Sequence, residues 1–543
     1  MRPRRNCGGC SGGIVLRVTL KEPAMPRLIG ASRLLALAAA LAAASPMLAQ
    51  GVNEEKLCLA QVPARSEAQV EACTALLASG RYDERNRAIL HNNRAVAQSA
   101  KGDTAAALAD YGEAIRLSPG YARAYANRGN AHHDRGDHDR AIADFDSAIR
   151  LDPKSASAFI SRGNAWDAKG DSTRAIADYT AALELTPNST TAFFNRGLIR
   201  RRTGDLDRAL ADFDQAIRID PRNAGALNSR GLIFADKGVT DRAIADYDAA
   251  IRLEPGLAAA FVNRGNAQRD RGALDKALAD FDEAIRLAPG MASARNNRGL
   301  AHYDLRQFGA AITDFTEALR LAPNDARAYT NRGNAHDEKG DAASAVADYG
   351  AAIKADPNHV TAYFNRAVVL RRSGDPDGAI ADLDHAIRLD PALARAYNER
   401  GLAWHDKRDF ASAITDYSEA VRRSPGYAAA YNNRGNAYDE NGDTDRAIAD
   451  YTEALRAAPN FALAYYNRGI AHGRKGDAGR AIADYDQAIL LDPKLAAAYN
   501  NRALLHEQRG DRDKAVVDFR RALAIDVNNA GALDGLKRLQ ADR

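Results

Sequence analysis

Apolar and small residues in this chain fall at steps of three and four positions, in paired runs separated by Gly-Asp, and the arrangement recurs every 34 residues. The stretch Ala122 to Ser155 shows the register. Ala122, Ala124, Tyr125, Gly129 and Ala131 form one run, and Ala141, Ile142, Phe145, Ala148 and Ile149 form the next. Such steps collect the apolar residues on one side of a helix, so each stretch predicts two amphipathic helices. Between the runs, Gly136 can end the first helix in the left-handed conformation and Asp137 can cap the second. Pro153 cannot continue that second helix, so the chain turns into the next copy. A fixed period of this length predicts one helical hairpin stacked on itself, without a central core.

Counted from Ala88, thirteen copies fill 88–529 without insertion or deletion. Arginine holds position 7 in every copy, from Arg94 to Arg502, and aspartate holds position 23, from Asp110 to Asp518. Position 15 is glycine in 11 of the 13 copies, and aspartate follows it in 10. An aromatic at position 4 (Tyr125, Phe159, Tyr431), Gly at 8, Ala at 20, an aromatic at 24, Ala at 27 and Pro at 32 together resemble the tetratricopeptide repeat (TPR) family. The resemblance covers about four-fifths of the chain and departs at position 7, usually leucine in the family and arginine here. It implies an all-α fold, a right-handed superhelical solenoid whose first helices line a concave surface that holds partner peptides.

The two ends read differently from the repeats. Met25 to Arg33 is basic, Leu34 to Ala44 apolar, and Met47-Leu48-Ala49 a small-residue cleavage site. This is the pattern of a secretory signal peptide at 25–49, with 1–24 upstream of the true start. The apolar run is shorter than the roughly 20 residues of a membrane span, so export to the periplasm or beyond is expected, with no stable span afterwards. The charge changes accordingly. Residues 1–49 hold seven of the 75 Lys and Arg and one (Glu22) of the 71 acids, which leaves 68 basic and 70 acidic residues. The basic balance belongs to the leader, and with it goes any nucleic-acid footprint.

Residues 50–87 read as an N-terminal helical cap, with two short helices over Leu57 to Gly80. Its Cys58 and Cys73 are expected to form a disulfide in an oxidising compartment, two buried thiols being the alternative. Some exported bacterial multi-TPR proteins carry a similar hairpin. Cys7 and Cys10 precede the expected start. At the other end, Ala530 to Arg543 begins like a further copy, with Leu533 in the aromatic's place, and reads as a C-terminal capping helix.

Positions 7 and 23 share helix faces with alanines, so their charges must be paired. A repeated structural bridge follows, such as Arg298 with Asp280 or with Asp314, the choice being open. Positions 2, 6, 9 and 13 share the face that the family turns to its groove. Position 6 carries Asn127, Asn195, Asn263, Asn297, Asn331, Asn365, Asn433 and Asn467, and position 9 adds Asn266 and Asn334. Such amides either read the backbone of an extended peptide or brace neighbouring helices. Asn266 with Asn297 and Arg327, and Asn334 with Asn365 and Arg395, resemble part of the clamp by which chaperone-binding TPR domains hold a C-terminal carboxylate, without its lysine and second arginine. Basic patches at Arg201-Arg202 and Arg371-Arg372 suit an acidic segment, or are solvated helix ends. Copies 3–6 and 8–11 also run in parallel, as an internal duplication would leave them.

The sequence holds no H-E-x-x-H, no G-x-S-x-G and no phosphate-cradling or nucleotide-binding glycine loop. Five histidines share position 11 with Trp166, Trp404 and Tyr438, an exchange that indicates packing. The expectation is a non-enzymatic scaffold, without cofactor or metal, that binds an extended protein segment along its groove. The alternatives are an architectural role in the cell envelope, through the convex face or self-association, and a saccharide- or peptidoglycan-binding module.

Overall fold

The computed structural model describes residues 54–59 and 66–541; the expected leader, Cys7 and Cys10 lie outside the described residues. Every regular element among the described residues is an α-helix. They form two compact units that divide between Pro289 and Gly290. Among the described residues no helix is long and apolar enough to cross a membrane.

The first unit opens with α1 (Glu54–Cys58) and α2 (Ser66–Ala78), which a Cys58–Cys73 disulfide joins. Cys58, Cys73, Ala72 and Leu76 pack against Leu90 of α3 (Glu84–Ala100). This helix starts four residues before Ala88, because Asp83 caps it by accepting a hydrogen bond from the Asn86 amide at 2.8 Å. The expected boundary at 87 therefore falls inside a helix.

From there each copy is a hairpin, as in Ala122–Asp134 and His138–Leu151. The turn follows the chemistry expected of it. Gly136 sits at φ 80°, and Asp137 accepts from the Arg140 amide at 3.2 Å. Where the aspartate is replaced by Val239, Ala273 or Gln307, no side-chain cap forms. Where the glycine is replaced, Arg306 and Arg408 take the same left-handed conformation, at φ 60° and 61°.

In ten copies the two helices close on a glycine beneath an aromatic ring, and in two more Ala95 and Ala503 take the glycine's place with Tyr111 and Phe519 retained. A Cβ added at Gly265 would lie 2.7 Å from the Phe281 ring, and one at Gly401 2.6 Å from the Tyr417 ring. One copy replaces both partners, with Ala367 and Leu383 in their places and both buried. The alanines at positions 20 and 27, such as Ala277 and Ala284, are fully buried and let the helices approach closely.

The second unit runs from Ala292–Asp304 to Arg512–Ile525 and ends on the helix Ala530–Ala541. Ala532 and Leu539 of that last helix join Phe519, Ala515 and Ala522 in one buried cluster. Leu533, expected in the aromatic's place, is 41 % exposed, so the helix covers the preceding copy through its other face.

Candidate functional site

The position-7 arginines are held first by their own copy. In every copy the guanidinium grips the aspartate sixteen residues on, as Arg128 does with Asp144 through Nε to Oδ2 at 2.8 Å and Nη2 to Oδ1 at 2.7 Å. Arg298 holds Asp314 in this way, while Asp280 is held by Arg264, which resolves the alternative left by the sequence. The aspartates are buried, Asp314 at 3 % exposure.

The remaining nitrogen, Nη1, reaches back one copy to position 25. Arg162 donates to Asp146 at 2.6 Å, Arg230 to Asp214 at 2.8 Å, Arg332 to Thr316 at 3.1 Å and Arg434 to Ser418 at 3.0 Å. The position-4 ring lies under the same guanidinium, as Tyr329 does under Arg332 at 5.6 Å. Leucine could fill the space but could not join three helices and neutralise a buried carboxylate. Hydrogen bonding to Asp178 raises the Arg162 pKa above its ordinary value.

The asparagines form a second chain of contacts, and it too runs backward. The Nδ2 of Asn127 donates to Asn92 Oδ1 at 2.9 Å, Asn263 to Asn228 at 3.0 Å, Asn331 to Asn296 at 3.1 Å and Asn433 to Asn398 at 3.0 Å. Asn195 donates instead to Asn164 at 3.0 Å, and Asn365 to Asn334 at 2.9 Å. Asn467 donates to both Asn432 and Asn436, at 3.0 and 3.1 Å. These seven position-6 amides each find an amide at position 5 or 9 of the preceding copy, whereas Asn501 donates to the Tyr466 hydroxyl at 3.2 Å and the Nδ2 of Asn297 is buried without a hydrogen-bond partner. At Ser229 and Glu399 the preceding copy offers Phe194 and Leu198, or Phe364 and Val368, and position 6 is no longer asparagine. The position-9 amides also receive a tyrosine, as Asn334 receives Tyr349 at 2.9 Å. Of the two readings open to these amides, bracing describes the contacts made here.

Asn266 is half-buried in the first unit, whereas Asn297, 2 % exposed, and Arg327, exposed, belong to the second. Arg327 lies 3.6 Å from Asp325 of its own helix start. Asn334 and Asn365 do meet, but Arg395 stacks on the Phe364 ring at 5.4 Å. The basic patches are largely paired across copies: Arg202 with Asp167, Arg372 with Asp337, and Arg371 with Asp406 at 3.1 Å. Arg201 and Arg371 each have an Nε that is buried without a hydrogen-bond partner.

The sequence reading missed Glu399 and Tyr417. Glu399 takes an asparagine's place beside Arg371, at 3.6 Å, and desolvation raises its pKa against the pull of that arginine. Tyr417 is fully buried, its hydroxyl has no partner, and burial pushes its pKa well up. A break in the asparagine column marked the first; nothing in the sequence marked the second. Among the described residues no group of His, Cys, Asp and Glu is gathered to hold a metal ion.

The family profile described as "Tetratricopeptide repeat" matches residues 92–156, 160–224, 296–360, 332–394, 364–428, 399–462 and 432–478. Related tetratricopeptide profiles match 265–306, 462–495 and 496–529. No curated protein is matched. Among solved structures the chain is similar to the Cut9–Hcn1 hetero-tetramer of the APC/C, at 15 % identity and TM-score 0.42 over 86 % of this chain and 98 % of that one. It is similar to yeast Tom70 at 19 % identity and TM-score 0.38, over 78 % and 95 %. A tetratricopeptide repeat protein from Parabacteroides merdae is 21 % identical with TM-score 0.39, over 46 % and 99 %. Proteins built this way commonly serve as protein-interaction scaffolds. By these matched segments, and by the hairpins that fill them, the chain belongs to the tetratricopeptide repeat family.

Proposed function

We propose that the protein is an exported, non-enzymatic scaffold that binds an extended segment of another protein along the face formed by its first helices. The observation that carries this reading is a contrast within that face. The residues that pack or brace recur from copy to copy. Position 2 varies, and in seven copies it is exposed, as Arg123, Ser157, Thr191, Arg327, Thr361, Arg395 and Leu463; in the other six it is half-buried. A constant frame presenting variable exposed side chains is how a repeat protein encodes a partner. The braced amides hold the frame, and selectivity falls to position 2 and to the helix ends. Export is supported by the leader pattern at 25–49 and by the Cys58–Cys73 pairing.

The test is affinity capture from a cell-envelope extract with the full chain, beside a variant carrying Arg327→Ala, Thr361→Ala and Arg395→Ala. Matched circular dichroism of the two baits is required first. A partner held by the former and lost by the latter is the expected result. Equal capture by both overturns the groove reading and favours the outer surface.

A further inference from the structure

The turn inside a copy sets position 12, near the end of the first helix, against position 17, the first residue of the second. The chemistry of that contact changes from copy to copy. Tyr303 meets Phe308 and His405 meets Phe410 edge-on, with ring centroids 5.5 and 5.3 Å apart. Thr444 donates to Asp439 at 3.2 Å. In the second copy both partners are imidazoles, His133 and His138. Their ring centroids are 4.9 Å apart, their planes are tilted by 50°, and their Nδ1 atoms lie 3.1 Å from each other.

Among the described residues no group of three or more His, Cys, Asp and Glu side chains converges, but this pair of nitrogens does. Two imidazole nitrogens bound to one ion at about 2.05 Å stand about 2.9 Å apart at a right angle and about 3.35 Å apart at the tetrahedral angle. The observed 3.1 Å falls between these limits. With both rings neutral, one Nδ1 carries the proton that the other accepts. If that ring passes to its Nε2–H tautomer, both Nδ1 lone pairs become available to an ion, with no net loss of a proton. The turn holds the pair in place, because the Gly136 amide donates to the His133 carbonyl and the Asp137 amide to the His132 carbonyl, both at 2.9 Å.

The pair is also within reach of solvent, both residues being partly exposed. Elsewhere the residue at position 13 of the next copy reaches over position 12, as Arg202 does to Asp167, Arg372 to Asp337 and Glu440 to His405. The residue so placed after His133 is Ala168, whose methyl group is too short to do so.

We propose that His133 and His138 form a two-imidazole chelate for one divalent transition-metal ion such as Zn²⁺, with water completing the coordination. Imidazole nitrogen suits zinc, nickel and copper, whereas magnesium and calcium take oxygen ligands. The site lies at the turn between two helices and does not depend on the reading of the first-helix face.

The test is a zinc titration of the untagged full chain at neutral pH, followed through its imidazole ¹⁵N–¹H signals. Signals missing from His133→Phe and from His138→Phe assign the pair. His138→Phe also rebuilds the ring contact that His405 makes with Phe410. The expected result is that both signals shift together and saturate with zinc, while magnesium moves neither. In His138→Phe the remaining His133 signal should need at least about tenfold more zinc, since the second ligand of the chelate is gone. No saturable shift of the pair, an equal shift with magnesium, or an unchanged His133 response in His138→Phe overturns the proposal. Should His138→Phe fail to fold, His133→Phe read at His138 decides the same question.

Discussion

Arg298 and Asp314, sixteen residues apart, hold each other through Nε to Oδ2 at 2.9 Å and Nη2 to Oδ1 at 2.5 Å. Asp314 is 3 % exposed, so removing it takes from the guanidinium the buried carboxylate that holds two of its nitrogens. Asp314→Ala is expected to cost about 3–5 kcal/mol. Urea melts should show a lower midpoint, and a change below about 1 kcal/mol would show that the fork adds little.

Gly265 and Phe281 are a steric pair, the added Cβ meeting the ring at 2.7 Å. Gly265→Ala should therefore destabilise by about 1–3 kcal/mol. Adding Phe281→Leu should recover part of that loss, since Ala367 with Leu383 is a solution the chain already uses. A double-mutant cycle measures the coupling, and strict additivity would contradict the steric account.

Asn433→Ala removes the donor that satisfies Asn398, a side chain at 3 % exposure. The expected loss is about 1–3 kcal/mol. Asn130 is exposed, and the next copy has Ser161 at position 6. Asn130→Ala should stay within about 0.5 kcal/mol of the parent. If the two variants melt alike, the amides are not braces.

Arg306 and Arg408 sit at positive φ without being glycine. The left-handed conformation costs an ordinary residue roughly 1–2 kcal/mol. Arg306 also meets Glu338 at 3.0 Å, but its side chain is 74 % exposed and the pair contributes little. Arg306→Gly and Arg408→Gly should each raise stability, by about 0.5–1 kcal/mol, in thermal or urea melts.

Desolvation holds His132 and His472 below the ordinary imidazole value of 6.5, with Arg128 and Arg468 adding to the effect. A folded value below the unfolded one gives stability that is present above pH 6.5 and lost as the pH falls through the folded value. The protein should therefore lose stability between neutral and mildly acidic pH. The double variant His132→Gln, His472→Gln should lose less over the same interval. A decline of identical steepness in both would assign the pH dependence elsewhere.

Helices, turns and caps were legible because each is a local matter. The three-and-four spacing, Gly136 and Asp137 act within a few residues of themselves. The partner of Arg298 was not, because positions 7 and 23 face both their own copy and the adjoining one, and only the angle between helices selects Asp314 over Asp280. The bracing role of the asparagines was written in the sequence but across copies. Position 6 must be compared with positions 5 and 9 one copy earlier, where Ser229 and Glu399 follow pairs without an amide, and Asn501 keeps its amide by donating to the Tyr466 hydroxyl instead. The orphaned Nε of Arg201 depends on what is missing around it, and a residue pattern does not report a missing neighbour.

The backward reach of these side chains gives each unit a direction of growth. Arg162, Asn195 and Lys169 all place their donors on the copy before them, at Asp146, Asn164 and Asp139. A copy gained at the C-terminal side brings its own donors and finds acceptors waiting. One inserted at the N-terminal side must supply acceptors matched to donors already in place. Lengthening by duplication is therefore simplest at the C-terminal side, and each unit is, in this sense, a polar filament within a single chain.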